Sequence, residues 1–571
     1  MTNPTMPQIY LLVNGTNVAA TTLSMLEEVV VESTLHLPGM ATLAFHDPEM
    51  TLIDGATLVP GDELVISVKV GPQPSTIFDG EIVALEPAFS GRTQRLVVRA
   101  FDRLHRLSKR RHTKSYLNVT DSDVRDKLAG ECGLRTDSKD KTRTVHPHLL
   151  QANQTDLEFL QSCAASLGKL LRVEGSKLLF SSPVVESGAE LSWDKGLREF
   201  HPRLTASTFV KEVTVRSWDY KTKKELVGKA STSASTAQIG SVSSFSTALT
   251  PPGSQTISDC RVLAQGDATT LANAHLARLN GQFIEAEGSA AGIPSLVAGN
   301  SVTISSVGTR FSGKYLITSA THRYDATNGY GTDFSLTSGQ TASLLSLLMP
   351  QPAHDLGVGL MIGIVTDNAD PEKIGRVKVK LPWLSDTDTP DWARVVSIGG
   401  GKARGIMFTP EVNDEVLVGF EQGNLNRPYV LGGLWNGQDA PAIVAADAVK
   451  NGVVAQRALV SRSGHKIILD DTQGSEAITI IDKGGNKFVI KSQDNSLTIE
   501  TKGNITVESK GNISLKAAGN MALEATGNLS LKANASLTAE AGAKAELKGN
   551  AGVDVSSPAI TNVKGSMLNL N

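Results

Sequence analysis

Beyond Phe488 the chain contains no aromatic residue, no histidine, no cysteine and a single proline, Pro558. That stretch can supply neither the aromatic bulk of a globular head nor the imidazole and thiolate ligands of a metal centre. The 571 residues include three cysteines, Cys132, Cys163 and Cys260. An odd count without metal-ligand spacing suggests free thiols in a chain folded in a reducing compartment. The formal net charge of −3 excludes a global basic field for nucleic acid or an anionic membrane. The longest apolar run, residues 343–349 (SLLSLLM), is too short to span a bilayer. The N-terminal MTNPTMPQIYLLVNG lacks the basic region and long apolar region of a signal peptide. Synthesis in the cytoplasm is therefore expected.

Catalytic signatures are missing too. The run GGGKARG (399–405) matches neither a phosphate loop nor a dinucleotide fingerprint and reads as a turn. No nucleophile elbow or zinc-protease helix motif occurs. His146 and His148 flank one proline, but two histidines without a third ligand nearby in sequence are a weak metal signal. Asp470 and Asp471 sit in a turn (ILDDTQG), and loop carboxylates alone do not make a glycosidase. No catalytic, cofactor-binding or metal-binding residue is assigned.

What the chain does have is an unbroken eight-residue period from 495 to 558: NSLTIETK, GNITVESK, GNISLKAA, GNMALEAT, GNLSLKAN, ASLTAEAG, AKAELKGN, AGVDVSSP. The third position is Leu497, Ile505, Ile513, Met521, Leu529, Leu537, Ala545 and Val553. The fifth is Ile499, Val507, Leu515, Leu523, Leu531, Ala539, Leu547 and Val555. Apolar residues two apart share one face of a strand. A helix would drift by about 80° per octad, so no apolar stripe would hold. Gly-Asn pairs beginning at Gly503, Gly511, Gly519 and Gly527 read as turns in which glycine supplies positive φ. The sequons they create, such as the one at Asn504, are read as accidents of those turns. The sixth position alternates for much of the run: Glu508, Lys516, Glu524, Lys532, Glu540, Lys548. Facing solvent, it would stack opposite charges and oppose register slips.

One chain of octads cannot bury its own apolar face or close its strand edges. Three chains wound together could do both, around a narrow core that admits only aliphatic and small side chains. Eight stacked octads would give a rod on the order of 40 Å long.

Upstream, residues 7–110 and 200–345 read as β-rich, with a helical interlude over 118–180. Asp121 or Ser122 could cap one helix, and Thr155 another that ends at Gly168. A hairpin follows at 170–180, and a helix is expected over 264–280. The Ser/Thr-rich stretch 230–256 reads as an exposed loop. GDELVIS (61–67) resembles GNSVTIS (299–305), and each precedes a Phe-x-Gly, Phe78 to Gly80 and Phe311 to Gly313, a faint duplication. Residues 359–437 hold five or six short strands, GIMFTP (405–410) among them, which suggests an OB-fold barrel. Residues 357–437 carry eight basic and ten acidic residues, which argues against nucleic acid. Trp383, Trp392 and Trp435 are accordingly core or interface residues.

The block GIVTDNADPEKIGRVKVKLPW (363–383), WARV (392–395) and PEVNDEVLVGFEQGNLNRPYVLGGLWNG (410–437), taken with the octads, resembles the VgrG family of hub-spike proteins in contractile tails and injection systems. Asn413 and Asn424 stand where that family usually has Gly and Asp. FDRLHRLSKRRHT (101–113), NQTDLEFLQSCAASLG (153–168), VTVRSWDYKTKKELVGKA (213–230), FSGKYLITSATHRYD (311–325) and RSGHKIILDDTQGSEAITI (462–480) extend the likeness over nearly the whole chain.

The resemblance implies a mainly β fold. Its parts would be a first hub β domain (1–115), a mixed α/β segment (116–200), a second hub β domain (201–349), a linker (350–358), the OB-fold (359–437), a connector and start of the spike (438–494), an octad-repeat triple-stranded β-helix (495–558) and an apex (559–571). It implies a homotrimer whose six hub domains dock a hexameric inner tube within a baseplate, and whose spike pierces a target envelope. Residues 438–494 are too few for an enzyme domain, and the last histidine, His465, excludes a His-x-His iron site at the tip. We expect Met567, Leu568 and Leu570 to meet a separate PAAR-like tip protein, with effector cargo as a further partner. The compact layout looks most like spikes of extracellular contractile injection systems. The competing readings are a spike-borne cell-wall hydrolase and a surface-binding adhesin fibre.

Overall fold

A computed structural model describes residues 8–569, apart from 92, 138–140, 184, 187, 206–208, 220–223, 232–236, 240–252, 258–261, 263, 282, 337–358, 383, 386 and 388. The 350–358 linker, Cys260, Trp383 and Leu570 therefore lie outside the described residues, as does most of 230–256. The chain divides into two units, 1–441 and 442–571.

The first unit is built on an eleven-stranded sheet. One half holds Gln8–Val13, Thr16–Asn17, Leu26–Thr34, Met40–His46, Glu63–Lys69, Ser75–Ser90 and Thr93–Asp102; the other holds Leu197–Leu204, Ile284–Ala291, Ser319–Asp325 and Gly329–Leu336. Alternating strands bury one face of each half. Val29, Leu43, Phe45, Leu64, Ile66 and Val98 form the first core. Leu191, Ile284, Val302, Tyr315, Ile317 and Phe334 form the second. The halves join where Ser319–Asp325 pairs antiparallel with Leu26–Thr34, in register from Ser319 opposite Thr34 to Asp325 opposite Glu28. Tyr330 comes from the second half but packs in the first core.

The duplication is legible in backbone geometry. Gly61 and Gly299 both take positive φ, 103° and 87°. Each donates its N–H to an isoleucine carbonyl, Ile82 and Ile317, and each isoleucine returns its own N–H to the next residue, Asp62 or Asn300. The flanking Leu58 and Leu296 are both buried. The Phe-x-Gly match is out of register, however. Leu64 pairs with Gly80 and Val302 with Tyr315, so Gly80 corresponds to Tyr315, two residues past Gly313.

Between the halves, the strands Arg111–Val119 and His146–Thr155 pair antiparallel, and each hands over to a helix through a Thr-Asp-x-acid sequence. Thr120, rather than Asp121 or Ser122, caps Asp121–Glu131: it accepts from the Asp123 N–H while the Asp123 carboxylate accepts from the Thr120 N–H. This reciprocal pair satisfies two otherwise orphaned donors, which a cap one residue later could not. Thr155 and Glu158 repeat the arrangement at Asp156–Leu167, and Gly168 closes that helix in the left-handed region at φ 64°. The hairpin strands are Leu170–Glu174 and Lys177–Ser181, and the later helix is Gln265–Gly281. The stretch 230–256 is not a plain loop. Ala237–Ile239 forms a strand whose Ala237 and Ile239 are buried in the second core, and Ser254–Ile257 forms another.

The barrel has five strands, Met361–Asp367, Lys378–Lys380, Arg394–Val395, Glu415–Phe420 and Pro428–Gly433, around Val365, Val377, Val379, Leu381, Val416 and Val430. Leu150 and Ala152 of the hub join this core. Residues 405–410 form no strand: Ile406 N–H meets Ile398 O on the opposite limb of one loop, and the Pro410 carbonyl accepts from the Asn368 side chain. A buried ion pair pins the barrel's first loop. Burial alone would raise the Asp370 carboxyl, but the Arg376 guanidinium at 2.7 Å and the backbone N–H groups of Ile374 and Glu372 hold it well below the usual carboxylate range.

Candidate functional site

Residues 442–571 carry the features the sequence singled out. An antiparallel meander comes first, with strands Gln456–Val460, Lys466–Asp470, Ala477–Ile481, Lys487–Lys491 and Ser496–Glu500. Gly464, Gly474 and Gly485 turn it at φ 94°, 74° and 90°. Its register aligns two rows on one face. Leu459, Ile467, Ile480, Phe488 and Ile499 lie opposite one another in succession, and so do Arg457, Leu469, Ile478, Ile490 and Leu497. Nine of these ten side chains are apolar. Most of them are exposed; Ile467, Leu469, Ile478 and Ile480 are each 42–46% accessible. The other face mixes Lys466, Lys487, Thr479, Thr498 and Glu500 with small and aliphatic residues. The polar side is where a solvated face belongs, and the apolar side has no cover within its unit.

Leu497 and Ile499 are also the third and fifth positions of the first octad, so the octad rows begin on this apolar face. After Glu500 no strand is assigned. The octads make no ladder with one another, and every described residue from Lys502 onward is exposed. The backbone still keeps the period, with bends at 502–503, 510–511, 518–519, 526–527, 534–535, 542–543, 550–551 and 558–559, and again at 566. The third-position residues Leu497, Ile505, Ile513, Met521, Leu529, Leu537 and Val553 and the fifth-position residues Ile499, Val507, Leu515, Leu523, Leu531, Leu547 and Val555 are all exposed. Met567 and Leu568 are exposed as well.

One expectation about the turns is corrected. Gly503, Gly511, Gly519 and Gly527 sit at bends, yet neither they nor the asparagines that follow have positive φ. Later bends fall at Ala535, Ala543, Ala551 and Ala559 with the same period. The second residue of each two-residue bend is thus Gly or Ala, in a backbone conformation that needs no positive φ. A Cβ at Gly503, Gly519 or Gly527 would meet nothing in its own chain.

The remaining candidates disperse. His146 Nε2 lies 2.9 Å from Asp121, while His148 Nε2 meets the Thr389 carbonyl at 2.8 Å, so the two rings serve different partners. Asp471 pairs with Arg457, and Asp470 accepts from Gln456 and Thr472. Trp392 lies beneath Arg376 and Lys378; Trp435 is exposed. Cys132 and Cys163 are free thiols, and burial raises both. The apolar face of the meander was missed in the sequence, where 438–494 reads as a connector and the start of the spike. The alternation in KIILD, AITII and KFVIK, with glycine between, was the available signal.

Residues 3–325 match the family described as the Alg8 N-terminal domain. Residues 361–435 match the type VI secretion system/phage-baseplate injector OB domain. The type VI secretion system spike protein VgrG5 of Pseudomonas aeruginosa is 33% identical over 123 residues, 20% of this chain and 15% of its own length. VgrG1a of the same species is 30% identical over 119 residues, 19% of this chain and 18% of its own. The matched region thus spans less than a fifth of these relatives. A chain of the Francisella PdpA–VgrG complex aligns with 87% of this chain and 80% of its own length, at a TM-score of 0.53 and 11% identity. Matched over more than half its length by the first of these families, the chain belongs to the Alg8 N-terminal domain family, and its barrel is similar to the injector OB domain and to VgrG spike proteins.

Proposed function

We propose that the chain is the non-enzymatic structural hub-spike of a contractile injection machine and works as a homotrimer. The observation that carries this reading is the apolar surface that begins on the meander and is taken up by the octad rows. Burying each exposed Leu or Ile against a partner is worth about 1.5–3 kcal/mol, and the recurrence of such residues every octad fits a partner that runs the length of the rod. Three identical chains supply it with the third and fifth positions inward and the Glu/Lys row outward. Their strand edges then pair between chains, so none can leave without breaking the ladder.

The duplicated hub supports the rest of the reading. Two similar halves per chain give six in a trimer, which suits a hexameric inner tube at the baseplate. The barrels form a collar, and on contraction the rod is driven through the target envelope. A stiff rod needs no active site. A PAAR-like protein at the apex, with Met567 and Leu568 beneath it, would cover the end of the core, and effector cargo would travel with it. The particle that fits this layout is an extracellular contractile injection system, assembled in the cytoplasm.

The test is a pair of variants, Leu515→Asp and Leu523→Asp. Each places three carboxylates on the axis in addition to removing the apolar burial. We expect loss of heat-resistant trimers on denaturing gels. Trimers as heat-resistant as those of the unaltered chain would show that these positions do not face inward.

A further inference from the structure

The barrel carries two unmatched features on separate parts of its surface. Residues 396–408 leave it as a two-limbed finger. Ile406 N–H donates to Ile398 O at 3.0 Å, the Ser397 hydroxyl donates to the Ile406 carbonyl, and Gly401 bridges Arg404 at the tip. Its apolar side chains stand in solvent: Ile398 is 77% accessible, Met407 83% and Phe408 58%. The second feature is an open groove of about 730 Å³ on the outer wall, lined by Leu360, Phe420, Tyr429 and Leu431 over Gly419. A Cβ at Gly419 would lie 3.4 Å from a Leu360 methyl and 3.6 Å from a Leu431 methyl. The glycine therefore keeps the floor low, and the leucines form its walls. No finger residue lines the groove.

Charge indicates what covers them. Lys402 and Arg404 are the ionised residues of 396–408, and no acid accompanies them. The remainder of 359–437 holds six basic and ten acidic residues. Finger against finger is repulsive, whereas finger against another copy of the barrel is attractive. A contact between two different patches of identical subunits is heterologous, and it closes into a ring when the rotation suits.

We propose that the finger of each copy seats Met407 and Phe408 in the Gly419 groove of the next copy, closing a head-to-tail ring of three barrels. This rests on the trimer reading above and names the contact that holds it at the level of the barrel. The surface works as an apolar anchor in a pocket with a charged rim, the arrangement that concentrates binding energy at interfaces.

The test places Phe408→Cys and Leu431→Cys in one full-length chain, with each single variant as control, under mild oxidation. The expected result is a covalent trimer on a non-reducing denaturing gel from the double variant, and no cross-link from either single variant. Native mass is measured on the same samples. A native trimer without cross-links overturns the finger contact and leaves the trimer standing; a native monomer overturns both. Cross-linking by Phe408→Cys alone would show fingers meeting each other, which also overturns the proposal.

Discussion

His322 is buried on the strand where the two halves of the sheet meet. It lies on the strand that pairs with Leu26–Thr34, and its Nδ1 lies 2.8 Å from the Tyr330 hydroxyl and 3.1 Å from the Thr332 hydroxyl. Burial lowers its pKa to about 4. The unfolded chain therefore binds a proton between pH 6.5 and 4 that the folded chain does not, and the contribution of neutral His322 is lost as pH falls through that window. We expect replacement by glutamine to remove a pH-dependent loss of about 3 kcal/mol between pH 7 and 4, measured as hydrogen-exchange protection of Ser319–Asp325 in both proteins. Gly228 is a second single-residue constraint. A Cβ there would fall 2.1 Å from the Ala268 carbonyl carbon, a backbone atom of the helix Gln265–Gly281. Gly228→Ala should lower stability by about 1–3 kcal/mol, read by thermal melting.

Elements with a local chemical signal were legible in the sequence. Thr155 and Gly168 fixed both ends of one helix because a cap and a left-handed stop each depend on a few adjacent residues. We expect Thr155→Ala to cost about 1 kcal/mol, visible in the melting curve. The barrel strands and the octad period were legible for the same reason, through alternation and spacing. What was missed depends on distant partners. The eleven-stranded sheet joins residues some 290 positions apart, at Arg323 and Val30, and nothing near either residue announces the other. The strand at Ala237–Ile239 is buried by the second core rather than by its Ser/Thr-rich neighbours. The positive φ expected at the Gly-Asn pairs failed because these bends run at negative φ, which alanine adopts in the later octads. The apolar face of the meander needed its register, which pairs Ile480 with Phe488 and Ile467.

At the scale of the molecule, the features divide by what one chain can complete. The two halves of the sheet and the barrel bury their cores within residues 1–441. The meander and octads have apolar rows with no cover in their unit, and the Glu/Lys row gives those rows a solvent side. Raising the salt concentration should weaken register along that row only slightly, since exposed pairs contribute a few tenths of a kcal/mol each. The apolar rows should dominate, so trimers are expected to survive molar salt in sedimentation. The central claim is the stoichiometry, and native mass spectrometry of the full-length protein tests it most directly. The account predicts a species at three times the 60.4 kDa chain mass; a stable species at the mass of one chain would contradict it.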